Sequence, residues 1–198
     1  IDLYQVHDVE FGDQSLIVEE TLPALMEMKE RGEVLAVGIT GLSLPMIARI
    51  AEAFKVDTIL SYCHGNLLSR DFIPTIEELA ERDGLGLINA SITHMGVLSP
   101  QGQRDWHPAP QEVFDAGARV RAVCDAHGRD VAQVALCYAL NYAGPHSTLI
   151  GVANEEQLAS SLGATEQEIP EELQARIDDA IGGALDLRWH DGLPENFD

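Results

Sequence analysis

This sequence has little positive charge. Its 198 residues carry 12 Lys and Arg against 33 Asp and Glu, a formal net charge of −21 at pH 7. A surface that acidic repels phosphate backbones and anionic lipid, so nucleic acid and membrane surfaces are poor partners. Long apolar runs are missing as well; none approaches the ~20 residues that cross a bilayer. Cysteine is scarce: Cys63, Cys124 and Cys137 are odd in number and far apart. They supply neither a disulfide framework nor a CxxC metal pair, and a reducing, cytoplasmic setting is expected. The histidines lack HxH or HxxxH spacing, so no metal site is expected. The chain starts at Ile1 without a charged-then-apolar leader, and is expected to open in mid-architecture.

What is present is a core. Hydrophobic residues make up 45% of the chain, which excludes wholesale disorder. Nearly continuous apolar, β-branched runs at Ile1–His7, Val34–Thr40, Asp57–Cys63, Leu85–Ser91 and Ser147–Ala153 read as parallel strands buried on both faces. Amphipathic stretches lie between them. Val18, Leu22, Leu25 and Met26 share a helical face before Gly32, with Pro23 blurring or kinking its start. Ser43 and Pro45 look like an N-cap and first-turn proline, and Asn154 like another cap. Further helices are expected from Pro74, over about Pro110–His127 and Val131–Tyr142, and from Pro170 to Ile181. No linker interrupts the pattern, so residues 1–198 read as one domain. Alternating βα units mean an open doubly wound sheet or a (β/α)8 barrel. Five units are too few to close a barrel, which takes ~250 residues.

In either architecture the carboxyl ends of the strands hold the site. That rule selects His7, Thr40, the Tyr62-Cys63-His64 run, Ser91 and Gly151. His7 ends an apolar strand and is either an acid, base or carbonyl donor, or a structurally hydrogen-bonded histidine. Ser91 to Gly96, with its hydroxyls and terminal glycine, is either a phosphate-holding loop or an ordinary polar one. Gly151 leads into the helix that Asn154 caps, a second anion seat. Trp106 and Trp189, in Pro- and Gly-rich surroundings, either close over a substrate or simply pack.

Together these segments resemble the later part of an aldo-keto reductase, in the branch of L-galactose and L-fucose dehydrogenases. The resemblance is carried by Asp2 to Gly12 (DLYQVHDVEFG), Val37 to Leu42 (VGITGL), Ile59 to His64 (ILSYCH), Ile88 to Ser91, Met95-Gly96, Trp106 to Ala109, Leu149 to Val152 and Leu187 to Trp189. It implies an α/β fold, an incomplete (β/α)8 TIM barrel made of strands four to eight with their helices. It implies hydride transfer between a nicotinamide cofactor and an aldose or related carbonyl or alcohol. His7 aligns with the histidine that orients the substrate oxygen. Thr40 and Gly41 align with residues near the carboxamide, and Ser91, Thr93 and Gly96 with the pyrophosphate segment. Gly151, Asn154, Gln157 and Ser161 align with the adenosine end, and Trp106 and Trp189 with the sugar's surroundings. Gln157 stands where NADP-preferring members carry Arg, with Glu155 and Glu156 beside it. NAD is therefore expected, with NADP possible. The family's catalytic tyrosine, lysine and aspartate lie on earlier strands, so this chain alone is expected to be inactive. It would be completed by a missing N-terminal segment, or would pair its open edges in a homo-oligomer. Two other readings stand beside this one: a truncated barrel acting as a non-catalytic binding or interaction protein, and an unrelated phosphate-binding barrel using Ser91 and Gly151.

Overall fold

A computed structural model describes residues 1–102 and 105–196. The apolar runs form β1 (Leu3–Val6), β2 (Ala36–Gly41), β3 (Thr58–Tyr62), β4 (Gly86–Ala90) and β5 (Ser147–Thr148). All pairings are parallel, in the order β1-β2-β3-β4-β5. A doubly wound sheet reverses its strand order at a switch point. This sheet never reverses, so the chain winds in one direction, as a barrel wall does. Among the described residues β1 and β5 are edge strands, unpaired on their outer sides.

The expectation of strands buried on both faces holds for one face only. Val37, Ile39, Ile59, Ser61, Leu87 and Asn89 are buried; helices cover the four apolar ones, while Ser61 donates to the Gly41 carbonyl and Asn89 to that of Gly65 in the loop after β3. The opposite row of Ala36, Thr58, Leu60, Tyr62, Gly86, Ile88 and Ala90 is half-buried. Pleating sends alternate side chains to opposite sides, and among the described residues no helix packs on the second side. Burying each large aliphatic of the helix face contributes roughly 1.5–3 kcal/mol.

The covering helices follow from local chemistry. Asp13 caps α1 (Gln14–Leu16) by accepting from the Ser15 and Leu16 N–H groups. A π-turn over Ile17–Thr21 then leads into α2 (Leu22–Glu30), with the Leu22 N–H bonded to the Ile17 carbonyl. That widened turn sits where Pro23 brings no N–H to the ladder, so the proline neither ends nor starts the helix. Ser43 caps α3 (Leu44–Ala53) through the Met46 N–H. After α4 (Phe72–Asp83) the chain reverses at Gly84, whose φ of 70° is the left-handed C-terminal stop that glycine adopts without penalty.

β5 is shorter than its apolar run. The Leu149 N–H makes one more bond, to the Asn89 carbonyl. Beyond that β4 has already turned off at Ser91, so Ile150 to Ala153 has no ladder partner and is irregular. A second core lies among α5 (Gln111–Ala126), α6 (Val131–Asn141) and α8 (Glu171–Ile181), where Phe114, Val120, Leu136 and Ile177 meet Leu67, Leu68 and Leu98. Between α6 and α8 lies α7 (Glu155–Ala164), which Asn154 caps through the Gln157 N–H. The tail returns to the start of the chain. Leu193 N–H and Asn196 Nδ2 both donate to the Glu10 carbonyl, and Asn196 Nδ2 also to that of Gly12.

Candidate active site

Three of the five strands end in backbone that favours glycine but holds another residue. Asp8 (φ 48°), Cys63 (φ 67°) and Ser91 (φ 52°) follow β1, β3 and β4 in the left-handed region. Such residues cost about 1–3 kcal/mol each and concentrate where function demands them. All three lie at the carboxyl edge, where the strand rule places a site.

His7 continues the alternation of Leu3 and Gln5 and so belongs to the uncovered side of the sheet. Its side chain is 83% exposed, with Nδ1 3.3 Å from an Asp8 carboxylate oxygen. Thr40 fixes the backbone beneath it. Its Oγ1 accepts from the Asp8 N–H at 2.9 Å and lies 3.4 Å from Asp8 Oδ1. One lone pair of that hydroxyl remains for an amide donor. Gly41 has a structural reason of its own: a Cβ there would lie 2.4 Å from Oε2 of Glu10.

Glu10 was not legible as a site residue. It is 1% exposed, and Oε1 accepts from the Leu42 N–H and from the Tyr62 hydroxyl, both at 2.8 Å. Burial raises its pKa, the hydrogen bonds from Leu42 and Tyr62 opposing it. Burial and the neighbouring Glu10 push the Tyr62 hydroxyl far above the ordinary phenol range. Tyr142 donates to the Arg70 carbonyl, and Arg70 stacks over the Tyr138 ring. Tyr4 lies in register with Val37 on the helix side.

The loop after β4 and the turn after β5 open onto one cleft of about 910 Å³. Ser91, Thr93, Gly96, Trp106, Gly151, Asn154, Gln157 and Ser161 all line it. Eight of the twelve residues singled out in the sequence thus meet there. After Ser91 the backbone is left-handed again at His94, Met95 and Gly96, and the His94 and Gly96 N–H groups donate within the loop, to the Ser91 and Thr93 carbonyls. At the far end the Ala153 N–H is taken by Gln157 Oε1 and the Gln157 N–H by Asn154 Oδ1. Glu155 and Glu156 occupy the first turn of α7. That end suits hydroxyls better than a phosphate. Among the described residues Asp130 and Glu156 are the only charged side chains on the cleft wall. His7, Thr40, Gly41 and Trp189 do not line it.

Trp189 instead joins a separate cavity of about 100 Å³, shared with His64, Ser69 and His94. His64 is fully engaged there, with Nδ1 2.7 Å from Asp71 Oδ1 and Nε2 2.7 Å from the Leu42 carbonyl. Arg188 reaches Asp71 Oδ2 from the tail at 2.7 Å. Burial alone would raise the Asp71 carboxyl, but His64, Ser69 and Arg188 hold it down at about 2. Sequence reasoning missed this group because Asp71 and Arg188 are 117 positions apart. Trp106, 65% exposed, stacks on His107 at the rim of the large cleft. Among the described residues no cluster of metal ligands occurs, and no helix is long and apolar enough to cross a membrane.

A one-directional parallel sheet with a large cleft at its carboxyl edge defines a barrel-type α/β protein with its site in the βα loops. Residues 1–181 match the Aldo/keto reductase family, and the chain belongs to that family of oxidoreductases. It is 32% identical over 203 residues to L-galactose dehydrogenase of Arabidopsis thaliana, covering 99% of this chain and 63% of the relative. It is 30% identical over 172 residues to D-arabinose 1-dehydrogenase of Saccharomyces cerevisiae, covering 82% of this chain and 51% of the relative. The chain thus spans less than two thirds of either curated relative. A solved aldo-keto reductase from Bacillus halodurans superposes with a TM-score of 0.70 at 20% identity, covering 91% of this chain and 58% of that one. A glycerol dehydrogenase from Gluconobacter oxydans gives 0.66 at 19%, covering 98% and 62%. These two likenesses establish the fold.

Proposed function

We propose that this chain forms the cofactor-binding wall of a nicotinamide-dependent sugar dehydrogenase, as its L-galactose and D-arabinose relatives are named. The observation that carries the reading is the convergence of eight singled-out residues on one cleft of about 910 Å³, at the upper end of the ~300–1,000 Å³ range of small-molecule pockets.

The residues fit the two halves of a dinucleotide differently. The loop from Ser91 to Gly96, left-handed at Ser91, His94, Met95 and Gly96, lies on the pyrophosphate side, with Ser91 and Thr93 on the cleft wall. The Ser161 hydroxyl, the Glu156 carboxylate and the Asn154 and Gln157 amides line the cleft where the adenosine ribose would sit. A 2′-phosphate there would meet Glu155 and Glu156 and, among the described residues, no basic side chain on the cleft wall. NAD is therefore the better fit and NADP the poorer one. The bound cofactor supplies hydride transfer. His7, held by the Thr40–Asp8 contact, donates to and orients the oxygen of the reacting carbon. Thr40 keeps one lone pair for an amide donor, and Trp106 shields the cleft mouth.

Proton transfer falls to a group these residues do not provide, since the Tyr62, Tyr138 and Tyr142 rings are engaged elsewhere and Tyr4 faces the helix side. Alone, the chain binds cofactor without turnover; completed by strands on its open edges, it oxidises an aldose in the cytoplasm. Titration with NADH and NADPH tests the first half: saturable NADH binding supports it, and phosphosugar binding without dinucleotide binding sinks it. The full-length product assayed on an aldose panel with NAD and NADP tests the second.

A further inference from the structure

The loop after β4 is tied to α5 at two positions one helical turn apart. The first is Gly117. A Cβ there would collide with the Val97 side chain, so the loop lies directly on the helix backbone. The second is Arg121. Its Nη1 donates to the Val97 carbonyl at 3.0 Å and to the Ser99 carbonyl at 3.1 Å. Its guanidinium also fills the space beside Gly102, where a Cβ would lie 2.6 Å from Nη2. In a chain with 33 Asp and Glu, this cation is bonded to the backbone carbonyls of one loop. A planar guanidinium fixes the directions of its donors, which a lysine ammonium on its flexible stem does not.

The loop is also closed on itself. The Val97, Leu98, Ser99 and Gly102 N–H groups donate to the His94, Thr93, Gly96 and Ser99 carbonyls, and Ser99 Oγ donates to the Gly96 carbonyl at 2.6 Å. Ile92, Val97 and Leu98 are buried in the second core. Buried apolar anchors and paired backbone groups mark a segment that opens rarely. Its other side meets the large cleft, where Gly96, Ser99, Pro100 and Gln101 form part of the wall. The loop is therefore a ledge, braced from behind by α5 and presented in front to the cleft. Arg121 does not line the cleft and acts through the ledge alone.

We infer that Arg121 is a positioning residue of the cofactor site, holding the ledge over residues 96–102 in its binding form before a dinucleotide arrives. The inference rests on the dinucleotide reading of the cleft and adds to it how the cofactor enters. With the ledge already formed, no loop has to be ordered on binding, and the dinucleotide enters in one step. Without Arg121 the Val97 and Ser99 carbonyls lose their partner and the ledge samples other arrangements. Only a fraction of molecules is then competent, which lowers apparent affinity by that fraction and adds a slow conformational step.

Stopped-flow mixing of NADH with the full-length product, read by nicotinamide fluorescence, tests this. In the unaltered protein the observed rate should rise linearly with NADH concentration in a single phase. Arg121→Met should weaken NADH binding about fivefold or more and add a slow phase whose rate levels off with concentration. Arg121→Lys should recover only part of that loss. Hydrogen exchange reads the ledge in the unaltered protein, so the answer does not depend on how the variants fold. The Val97, Leu98, Ser99 and Gly102 amides should be as protected without NADH as with it. The inference is overturned by protection that appears only with NADH, by a slow phase in the unaltered protein, or by an Arg121→Met variant that binds as the original does. Full recovery in Arg121→Lys also overturns it, because charge alone would then account for the effect. Each of these outcomes leaves NADH binding by the unaltered protein intact. If that protein binds no NADH at all, the dinucleotide reading itself has failed and this inference falls with it.

Discussion

The carboxylate of Glu10 lies in the space that Gly41 leaves by having no side chain. A Cβ at position 41 would stand 2.4 Å from Glu10 Oε2, with Ile47 and Val9 each 3.3 Å away on other sides. The acid is therefore enclosed in fixed packing. Gly41→Ala should cost about 1–3 kcal/mol through overpacking. Combining it with Glu10→Ala, which empties the contested space, should cost less than the two changes added, since contacting residues couple. Denaturant unfolding of the four proteins measures this, and strict additivity would show that the contact does not matter.

Glu10 also gives stability a pH dependence. Burial raises its folded pKa above the ordinary value of 4.5. The folded state then binds the proton more tightly than the unfolded chain. Stability falls as pH rises from about the unfolded pKa through the raised folded one. Glu10→Gln keeps an acceptor for the Leu42 N–H and Tyr62 hydroxyl but cannot ionise, so the decline should vanish. Unfolding midpoints across mildly acidic to neutral pH, wild type against variant, decide it.

Asp71 acts in the opposite sense. Held at about 2 against an ordinary 3.8, it contributes stability above the unfolded pKa and loses it as pH falls toward 2. Linkage puts that contribution at roughly 2 kcal/mol. Asp71→Asn should remove this acid limb and, at neutral pH, cost about 3–5 kcal/mol, because His64 and Arg188 lose their shared carboxylate. The tail carrying Arg188 and Trp189 should then become more sensitive to proteolysis than the rest of the chain.

Much of this was legible because it is local. Ser43 and Asn154 cap their helices through side chains one turn from their partners, and the strand runs declare themselves by β-branched residues. The cleft was legible because strand ends and helix starts are read from the same punctuation. What was hidden depends on distance. Position 10 reads as one acid among many until Tyr62, Gly41 and Asn196 arrive from the rest of the fold. Trp189 was expected at the sugar, yet it packs with His94 and His107 because the tail folds back over the loop after β4. The length of β5 failed for a related reason: its apolar run continues, but the left-handed turn at Ser91 takes away the neighbour it would pair with.

On the proposed reading, cofactor choice would be set at the start of α7. Gln157 lines the cleft with Glu156 beside it, and the helix begins with two acids. Replacing Gln157 by Arg and Glu156 by Gln exchanges a repelling wall for a bidentate phosphate partner. NADPH affinity should rise at least tenfold while NADH affinity changes little, measured by fluorescence titration of each. Equal gains for both cofactors would mean the new charge acts on the pyrophosphate instead of the ribose.

On the proposed reading, His7 would separate chemistry from folding. The side chain is largely exposed, with an Asp8 carboxylate oxygen 3.3 Å from Nδ1, so His7→Ala should leave stability within about 0.5 kcal/mol of the original. Dinucleotide affinity should also hold, because His7 does not line the cleft. If the imidazole orients the reacting oxygen, kcat of the full-length enzyme should fall by roughly 10²–10⁴ with a smaller change in KM, since the lost hydrogen bond strengthens only as charge develops. Thr40→Val acts one step removed. It drops the hydroxyl that holds the Asp8 N–H at 2.9 Å, so it should lower kcat less than His7→Ala does. Paired with His7→Ala it should add little, because the contact matters only while there is an imidazole to position. A large independent effect of Thr40→Val would move Thr40 from support of His7 to direct contact with the cofactor.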